Sequence, residues 1–174
     1  DGFLLCNPFH YRNAFNYDFM ESVFEILSKE EIFKRCPTQF QPFNSLYQLY
    51  GLKRINRSAY EITGNVLSIP SLFYYFLTGK AFYEYTFATT TQMYNYEEGN
   101  WDGYLLDKLS LRNDFLPEIL PPGTNLGKPL EAIKNEIGCE PDFICVPTHD
   151  TGSAVSAIPM DYMDTMFISS GTWC

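Results

Sequence analysis

The chain has 174 residues, of which 45% are hydrophobic and 19% are charged, a composition that supports one packed domain and excludes a wholly disordered chain. Its 12 Lys and Arg stand against 21 Asp and Glu, and the net charge of −9 argues against nucleic acid or an anionic membrane as the main partner. Aromatic residues make up 17% of the chain. So many rings suit either a wide core or a sugar site, where they stack on C–H faces, and composition leaves both open.

No stretch of the sequence is both apolar and long enough for a transmembrane helix. The longest segment without a charge, residues 62–79, is interrupted by Gly64, Pro70 and polar residues, whereas a span needs roughly 20 mostly apolar residues. The first residues lack the basic lead and long apolar run of a signal peptide. An initiator Met is also missing, so we expect a fragment of a longer, cytoplasmic polypeptide.

The five cysteines are odd in number and widely spread, and none belongs to a C-x-x-C pair. This pattern indicates neither a zinc ribbon nor a disulfide framework, and it favours reduced thiols. The two histidines, His10 and His149, do not make a metal site by themselves, so the residues alone predict no metal ligand.

Apolar residues at spacings of three and four predict helices through most of the chain. Phe19, Val23 and Leu27 form one such face, and Ser28 with Glu31 matches a capping box for a second helix that ends near residue 35. Glycines then mark expected helix ends at residues 79 and 138. The further predicted helices cover residues 43–51, 102–109, 131–137 and a segment that starts after Gly64 or at Pro70 and stops at Gly79.

The pattern changes from residue 142 onward. A short apolar run over residues 142–146 predicts a buried strand, and small residues from 151 to 157 predict a helix. A second strand is expected at 166–170, another near 3–5, and a loop over 116–129. A strand, a helix and a further strand after a body of helices predict an α/β fold with a helical, insertion-rich body.

The strongest candidate for chemistry follows the strand predicted at 142–146. Asp150 stands at the end of that strand and at the start of a helix, where open α/β sheets bind their ligands. Its carboxylate can accept a proton from a substrate hydroxyl within hydrogen-bond reach. Asp is also a preferred N-cap residue, so from position alone a helix cap is the stronger interpretation. A structural, hydrogen-bonded role is likewise the plain alternative for His149.

A hydroxyl-rich turn, residues 169–172, follows the second strand predicted in this region. Its backbone N–H groups and the Thr172 hydroxyl can bind phosphate, although such turns are common without that role. The sequence has no G-x-x-x-x-G-K-[ST], because Tyr74 occupies the place of the first glycine, and it has no G-x-G-x-x-G. A P-loop ATPase and a Rossmann dehydrogenase are therefore both poorly supported.

Several short motifs follow one another along nearly the whole chain. They read NPFHYR at 7–12, QFQPFNSLYQLY at 39–50, YYFLTG at 74–79, EYT at 84–86, TTTQ at 89–92, LPEI at 116–119, PPGT at 121–124, HDTGSAV at 149–155 and SSGTW at 169–173. In content and order they resemble the FGGY family of carbohydrate kinases, and within it the kinases that act on L-rhamnulose.

The resemblance implies a ribonuclease H-like, actin-like ATPase fold, in which sugar and nucleotide meet in a cleft between two domains. It implies transfer of the γ-phosphoryl group of ATP to the 1-hydroxyl of a ketose such as L-rhamnulose, with Mg²⁺ on the phosphates. By motif match, Asp150 would be the catalytic base and His149 and Thr151 would flank it at the sugar. Thr172 would face the nucleotide phosphates. The implied partners are a small ketose and ATP.

The resemblance also implies how the chain relates to a complete kinase. Residues 1–174 would be the later part of the N-terminal, sugar-binding domain. The phosphate-binding loop that opens this domain and the C-terminal ATP-binding domain would both lie outside the chain. The chain alone would therefore be inactive.

One departure from the family pattern lies at residues 13–16, which read Asn-Ala-Phe-Asn where the family usually reads Asp-x-Arg-Thr. An acidic, a basic and a hydroxyl side chain are thus replaced. A catalytically impaired sugar-binding or regulatory relative is one alternative, and a kinase of another ketose, such as L-fuculose or xylulose, is a second. A non-enzymatic carbohydrate-binding β-sandwich is a third, and the helical periodicity speaks against it.

Overall fold

A computed structural model describes residues 2–5, 7, 10–11, 15–159, 161 and 164–171, with the backbone alone for residues 15–17. These residues form nine helices and six short strands. The strands have two or three residues each and pair as three separate two-stranded sheets. None of the helices described is long and apolar enough to cross a membrane.

The helices are numbered in chain order, and most of them precede the strands that carry the candidate site. They are α1 Phe15–Phe24, α2 Lys29–Arg35, α3 Ser45–Ile55, α4 Arg57–Ile62, α5 Ile69–Thr78, α6 Tyr85–Ala88, α7 Gly103–Lys108, α8 Glu131–Ile137 and α9 Asp150–Ser156. The strands are β1 Tyr83–Glu84, β2 Tyr94–Asn95, β3 Asn100–Trp101, β4 Ile119–Leu120, β5 Asn125–Gly127 and β6 Phe143–Ile144. β1 pairs with β4 in parallel, whereas the pairs β2–β3 and β5–β6 are antiparallel.

Local signals at the helix ends act as the sequence predicts. The Ser28 hydroxyl accepts a hydrogen bond from the Glu31 N–H at 3.2 Å and begins α2. α5 ends at Gly79 and α8 ends at Gly138, and both glycines adopt the left-handed conformation, with φ of 75° and 70°. These predicted helix ends are confirmed. The short helices α4 and α6 were not predicted, because neither is long enough to show a periodic apolar face.

The main core lies among the helices of the first two thirds of the chain. α1 crosses α3 at Gly51, where a Cβ would overlap the ring of Phe19. This glycine therefore lets the two helices approach closely. The largest fully buried side chains of this core are Leu27, Ile32, Leu46, Tyr47, Tyr60, Met93, Leu105, Leu106 and Phe115.

A buried carboxylate joins three elements of this core. Asp102 is 0% exposed, and its Oδ1 caps α7 by accepting from the Leu105 N–H at 2.8 Å. Its Oδ2 accepts from Arg35 Nε at 2.7 Å and from Asn95 Nδ2 at 2.8 Å. The charge is thus paired and fully hydrogen-bonded, as a buried carboxylate requires.

The strands agree less well with the sequence than the helices do. Residues 3–5 and 166–170 are exposed and lie outside any strand, so both predicted strands are wrong there. The buried strand predicted at 142–146 shrinks to β6, in which Ile144 is 45% exposed. The loop predicted over 116–129 instead contains β4 and β5. A strand needs a neighbour to satisfy its N–H and C=O groups, and apolar runs do not reveal which neighbours exist.

Candidate active site

The candidate site lies where the chain leaves β6 and enters α9. Tyr74, on α5, supports this passage from one side. Its hydroxyl accepts from the Val146 N–H at 3.1 Å and donates to the Ile144 carbonyl at 3.3 Å. Burial raises the pKa of Tyr74, so the hydroxyl keeps the proton that it donates. The side chain therefore takes the place of a neighbouring strand beside β6.

Glu84 supports the same passage from the other side. It is 1% exposed and is the N-cap of α6, where Oε1 accepts from the Thr86 N–H at 2.8 Å and Oε2 from the Phe87 N–H at 3.2 Å. The same Oε2 also accepts from the Thr148 N–H at 2.9 Å and from its hydroxyl at 2.8 Å. One carboxylate thus connects the start of α6 to the residues just before α9.

The predicted catalytic base, Asp150, and the predicted sugar-binding residues next to it stand at the first turn of α9. His149 occupies the N-cap position, with φ −79° and ψ 125°, but its side chain caps nothing. Asp150 is the first helical residue, and its Oδ1 accepts from the Thr151 N–H at 2.7 Å and lies 3.5 Å from His149 Nε2. The interpretation of Asp150 as the N-cap is therefore wrong, because its carboxylate turns back to the adjacent N–H. Its side chain is 96% exposed and open to a ligand.

A pocket of about 460 Å³ opens between α6 and α9. Its lining includes Thr151 from α9, the N-cap residue His149, Tyr85 and Thr86 from α6, and the rings of Tyr96 and Phe167. The pocket therefore offers hydroxyl groups and an imidazole together with flat apolar faces. Such a lining suits a polar ligand that also has C–H faces.

The two tyrosines of the pocket are held by a third ring. Tyr94, which is almost fully buried, meets Tyr85 edge to face, with centroids 5.4 Å apart, and meets Tyr96 in the same way at 5.1 Å. Edge-to-face pairs are a favoured arrangement of aromatic rings. Packing against Tyr94 therefore helps to fix the orientation of the Tyr85 ring, on α6, and of the Tyr96 ring, just after β2.

Three of the four site residues that the sequence suggested are consecutive in the chain and stand at the start of α9. His149 and Thr151 line the pocket, whereas Asp150, which stands between them in the chain, is exposed and is not among the lining residues. Thr172 lies outside the described residues, while the adjoining residues 169–171 are exposed. Within the described residues, no group of three or more His, Cys, Asp or Glu is placed to hold a metal ion, and we assign no metal ligand.

Sequence reasoning did not single out the role of Glu84 or of the aromatic pocket walls. Glu84 and Thr148 are 64 residues apart, and nothing local pairs them. Glu is not among the residues preferred as an N-cap, so the sequence before Tyr-Thr-Phe-Ala gave no clear signal for this cap and none for its second partner.

Comparison with known families decides the relationship of this chain. The model of the N-terminal domain of the FGGY family of carbohydrate kinases matches residues 14–156, which is more than half of the chain. The chain belongs to the FGGY family of carbohydrate kinases. The resemblance seen in the sequence motifs is thereby confirmed, and the HDTGSAV segment beside the pocket lies inside the matched region.

Individual relatives in this family match nearly the whole chain. A rhamnulokinase from Halalkalibacterium halodurans is 40% identical over 169 residues, which cover 97% of this chain and 36% of that protein. A rhamnulokinase from Bacteroides thetaiotaomicron is 36% identical over 175 residues, which cover 99% of this chain and 36% of that protein. The chain thus spans about a third of the length of these curated relatives.

Solved structures of sugar kinases share the fold. A gluconate kinase from Lactobacillus acidophilus has a TM-score of 0.74 at 21% identity, over 83% of this chain and 29% of that one. The Plasmodium falciparum glycerol kinase with ADP has a TM-score of 0.69 at 17% identity, over 83% of this chain and 30% of that one. The α/β, ribonuclease H-like fold expected from the family resemblance is therefore confirmed.

Proposed function

We propose that the full-length protein is an ATP-dependent sugar kinase that phosphorylates the 1-hydroxyl of a ketose, and that this ketose is L-rhamnulose. The observation that carries the proposal is the 36–40% identity to proteins named rhamnulokinase over nearly the whole chain. The pocket supports it, because an exposed carboxylate stands beside hydroxyl and aromatic side chains that suit a sugar.

Asp150 is the general base in this proposal. Its carboxylate accepts the proton of the attacking 1-hydroxyl while the new O–P bond forms and the bond from the γ-phosphorus to ADP breaks. Exposure of the side chain leaves its second oxygen open to the substrate, since its contacts with Thr151 and His149 all involve Oδ1. His149 and Thr151 bind sugar hydroxyls on either side, and the rings of Tyr85 and Tyr96 take the C–H face.

The chain supplies the sugar-binding half of the reaction in this proposal. We place it in the later part of the N-terminal domain, with the nucleotide bound mainly by a C-terminal domain and with Thr172 facing the phosphates by motif match. ATP is bound together with Mg²⁺, which neutralises phosphate charge when it is present. We place the protein in the cytoplasm, where it would act in rhamnose catabolism.

A coupled ADP-release assay on the full-length protein tests the reaction and the substrate together. L-Rhamnulose should give the highest kcat/KM among L-rhamnulose, L-fuculose, D-xylulose, gluconate and glycerol. A higher value with another sugar would replace the proposed substrate. No turnover with any of them, with ATP binding intact, would favour the impaired relative suggested by residues 13–16.

Asp150→Asn tests the proposed base in the same assay. The variant should lower kcat by about 100-fold or more, because general base catalysis typically contributes that much. Asp107→Asn, which changes an exposed carboxylate on α7, is the matched control and should leave kcat unchanged. Equal activity of the two variants would contradict the assignment of Asp150.

A further inference from the structure

The buried acid Glu84 has no place in the reaction as described above, yet it is connected directly to the segment that carries the proposed base. We propose that Glu84 is the positioning residue that sets the place of Asp150, acting through Thr148 and Thr86. This inference rests on the proposed function, because it assumes that Asp150 acts on the sugar. Glu84 itself does not line the pocket and is no catalytic residue.

Hydrogen-bond donors compensate the buried Glu84 carboxylate. Five N–H or O–H donors lie within 3.2 Å of its two oxygens, and they come from Thr86, Phe87 and Thr148. In the part of the chain that the structure describes, no Lys or Arg forms an ion pair with it. A buried acid compensated by donors alone depends on every one of them. The contacts to Thr148 are therefore an integral part of the site that holds this charge.

The Thr86 hydroxyl connects Glu84 to the backbone of His149. The hydroxyl donates to Glu84 Oε2 at 2.5 Å and accepts from the His149 N–H at 3.1 Å. An ionised carboxylate can only accept, so it fixes the direction in which the Thr86 hydroxyl points. The two residues before Asp150 are thus held by their backbone N–H groups. Thr148 donates to Glu84, and His149 donates to Thr86.

Helix α9 packs on Thr86 through Gly152. Gly152 lies against Thr86, since a Cβ there would be 3.3 Å from Thr86 Cβ. The first turn of α9 can therefore shift little without disturbing Thr86. Asp150, between the held N–H of His149 and the packed Gly152, is constrained on both sides. An exposed side chain on a constrained backbone is a suitable arrangement for a base that must meet a substrate hydroxyl.

Glu84→Gln in the full-length protein is the direct test. The amide NH₂ replaces one acceptor oxygen with a donor. In one orientation it faces the backbone N–H of Thr86, and in the other those of Phe87 and Thr148; a backbone N–H can only donate, so two donors then oppose each other. We expect kcat for the ketose to fall about tenfold or more, the size of effect that one misplaced hydrogen bond can produce. The KM for ATP should stay within about twofold, because no nucleotide contact is altered.

Asp102→Asn is the matched control for stability. Asp102 is also a buried carboxylate that caps a short helix, but its partners are Leu105, Asn95 and Arg35, none of which lines the pocket. Both variants should lower the Tm, whereas only Glu84→Gln should lower kcat at temperatures where the protein is folded. A loss of Tm alone, with wild-type kcat in both, would show a merely structural role and overturn the inference.

A pair of substitutions at Thr148 separates the hydroxyl from the bulk of the side chain. Thr148→Ser keeps the hydroxyl that donates to Glu84, whereas Thr148→Val keeps the shape and loses the donor. Thr148→Val should reduce kcat by about threefold to tenfold, and Thr148→Ser should restore most of it. Equal activity of both variants would contradict a role for this hydrogen bond.

Hydrogen exchange provides a readout that does not depend on turnover. In Glu84→Gln, the amides of residues 148 and 149 should exchange about tenfold faster or more, while Asp102→Asn should leave them unchanged. Unchanged exchange at both amides in Glu84→Gln would overturn the inference. If the wild-type protein phosphorylates no sugar, the proposed function fails, and exchange still decides whether Glu84 holds the segment.

Discussion

At the scale of single residues, burial separates the described cysteines by reactivity. Burial raises the pKa of Cys36 to about 12 and that of Cys145 to about 11, from an ordinary value of 9.0. Cys139 is exposed. At pH 8 we expect iodoacetamide to modify Cys139 first, because the thiolate is the reactive form and the two buried thiols stay protonated. Peptide mass spectrometry of the full-length protein, labelled for increasing times, measures the three rates.

The same pKa values give a direction for stability against pH. Because the folded-state pKa of each buried thiol lies above its unfolded value, the stability that each contributes is complete below about pH 9 and declines as the pH rises towards 12.

For the iodoacetamide experiment, labelling in urea is the control, since all three thiols should then react at similar rates. Rapid labelling of Cys36 or Cys145 in the folded protein would contradict the burial of these side chains.

Gly152 decides how closely α9 packs on Thr86. In Gly152→Ala the new Cβ would lie 3.3 Å from Thr86, so the cluster must shift by a few tenths of an ångström. We expect the free energy of unfolding to fall by about 1 kcal/mol, as overpacking in a tight contact does, and kcat to fall with it. Urea denaturation and the kinase assay measure the two effects.

Gly103→Ala is the matched control for Gly152→Ala. Gly103 is also a glycine in the first turn of a short helix, but no atom would lie within 4 Å of its Cβ. Alanine should therefore stabilise α7, by at most about 1 kcal/mol, since it lowers the entropy lost on folding. The same gain in stability at both positions would show that α9 does not pack tightly on Thr86.

At the scale of elements, the glycines that end α5 and α8 allow a paired comparison. Both adopt positive φ, but a Cβ at Gly79 would lie 3.1 Å from Leu130 Cδ2, whereas Gly138 faces open space. We expect Gly138→Ala to cost about 1 kcal/mol from backbone strain alone, and Gly79→Ala to cost more. Thermal unfolding measures the difference. Equal losses would indicate that Leu130 moves aside without cost.

The elements also show what local sequence can predict. α2, α5 and α8 lie close to their predicted bounds because their caps act within three or four residues of the chain. α6 was not predicted, since its cap is Glu84 and its four residues show no periodicity. The strands predicted at 3–5 and 166–170 are wrong because apolar composition does not supply a pairing neighbour.

At the scale of the whole molecule, α5 presents an exposed apolar face. Ile69, Phe73 and Phe76 lie at spacings of four and three and are 51%, 65% and 46% exposed. Contiguous apolar surface of this kind favours association. We expect the isolated 174-residue chain to self-associate in sedimentation velocity as its concentration rises, and the double variant Phe73→Ser/Phe76→Ser to associate less.

Ile137→Ser provides the control for this association. Ile137 is 48% exposed but lies on α8, outside the α5 face, so its substitution should leave association unchanged. A chain that remains monomeric at every concentration would contradict the prediction. Equal association in the double variant would show that another surface is responsible.

The sequence by itself determined the helical body, the helix ends set by Ser28, Gly79 and Gly138, and membership of the FGGY family through its motifs. It also drew attention to the segment 149–151. These features depend on interactions within a few residues or on residues in a recognisable order. Only the tertiary structure decided that Asp150 is exposed next to two residues that line a pocket, and that Glu84 reaches Thr148 across 64 residues of chain. Such contacts depend on how distant segments pack, and no local pattern in the sequence encodes which distant donors will share one buried carboxylate.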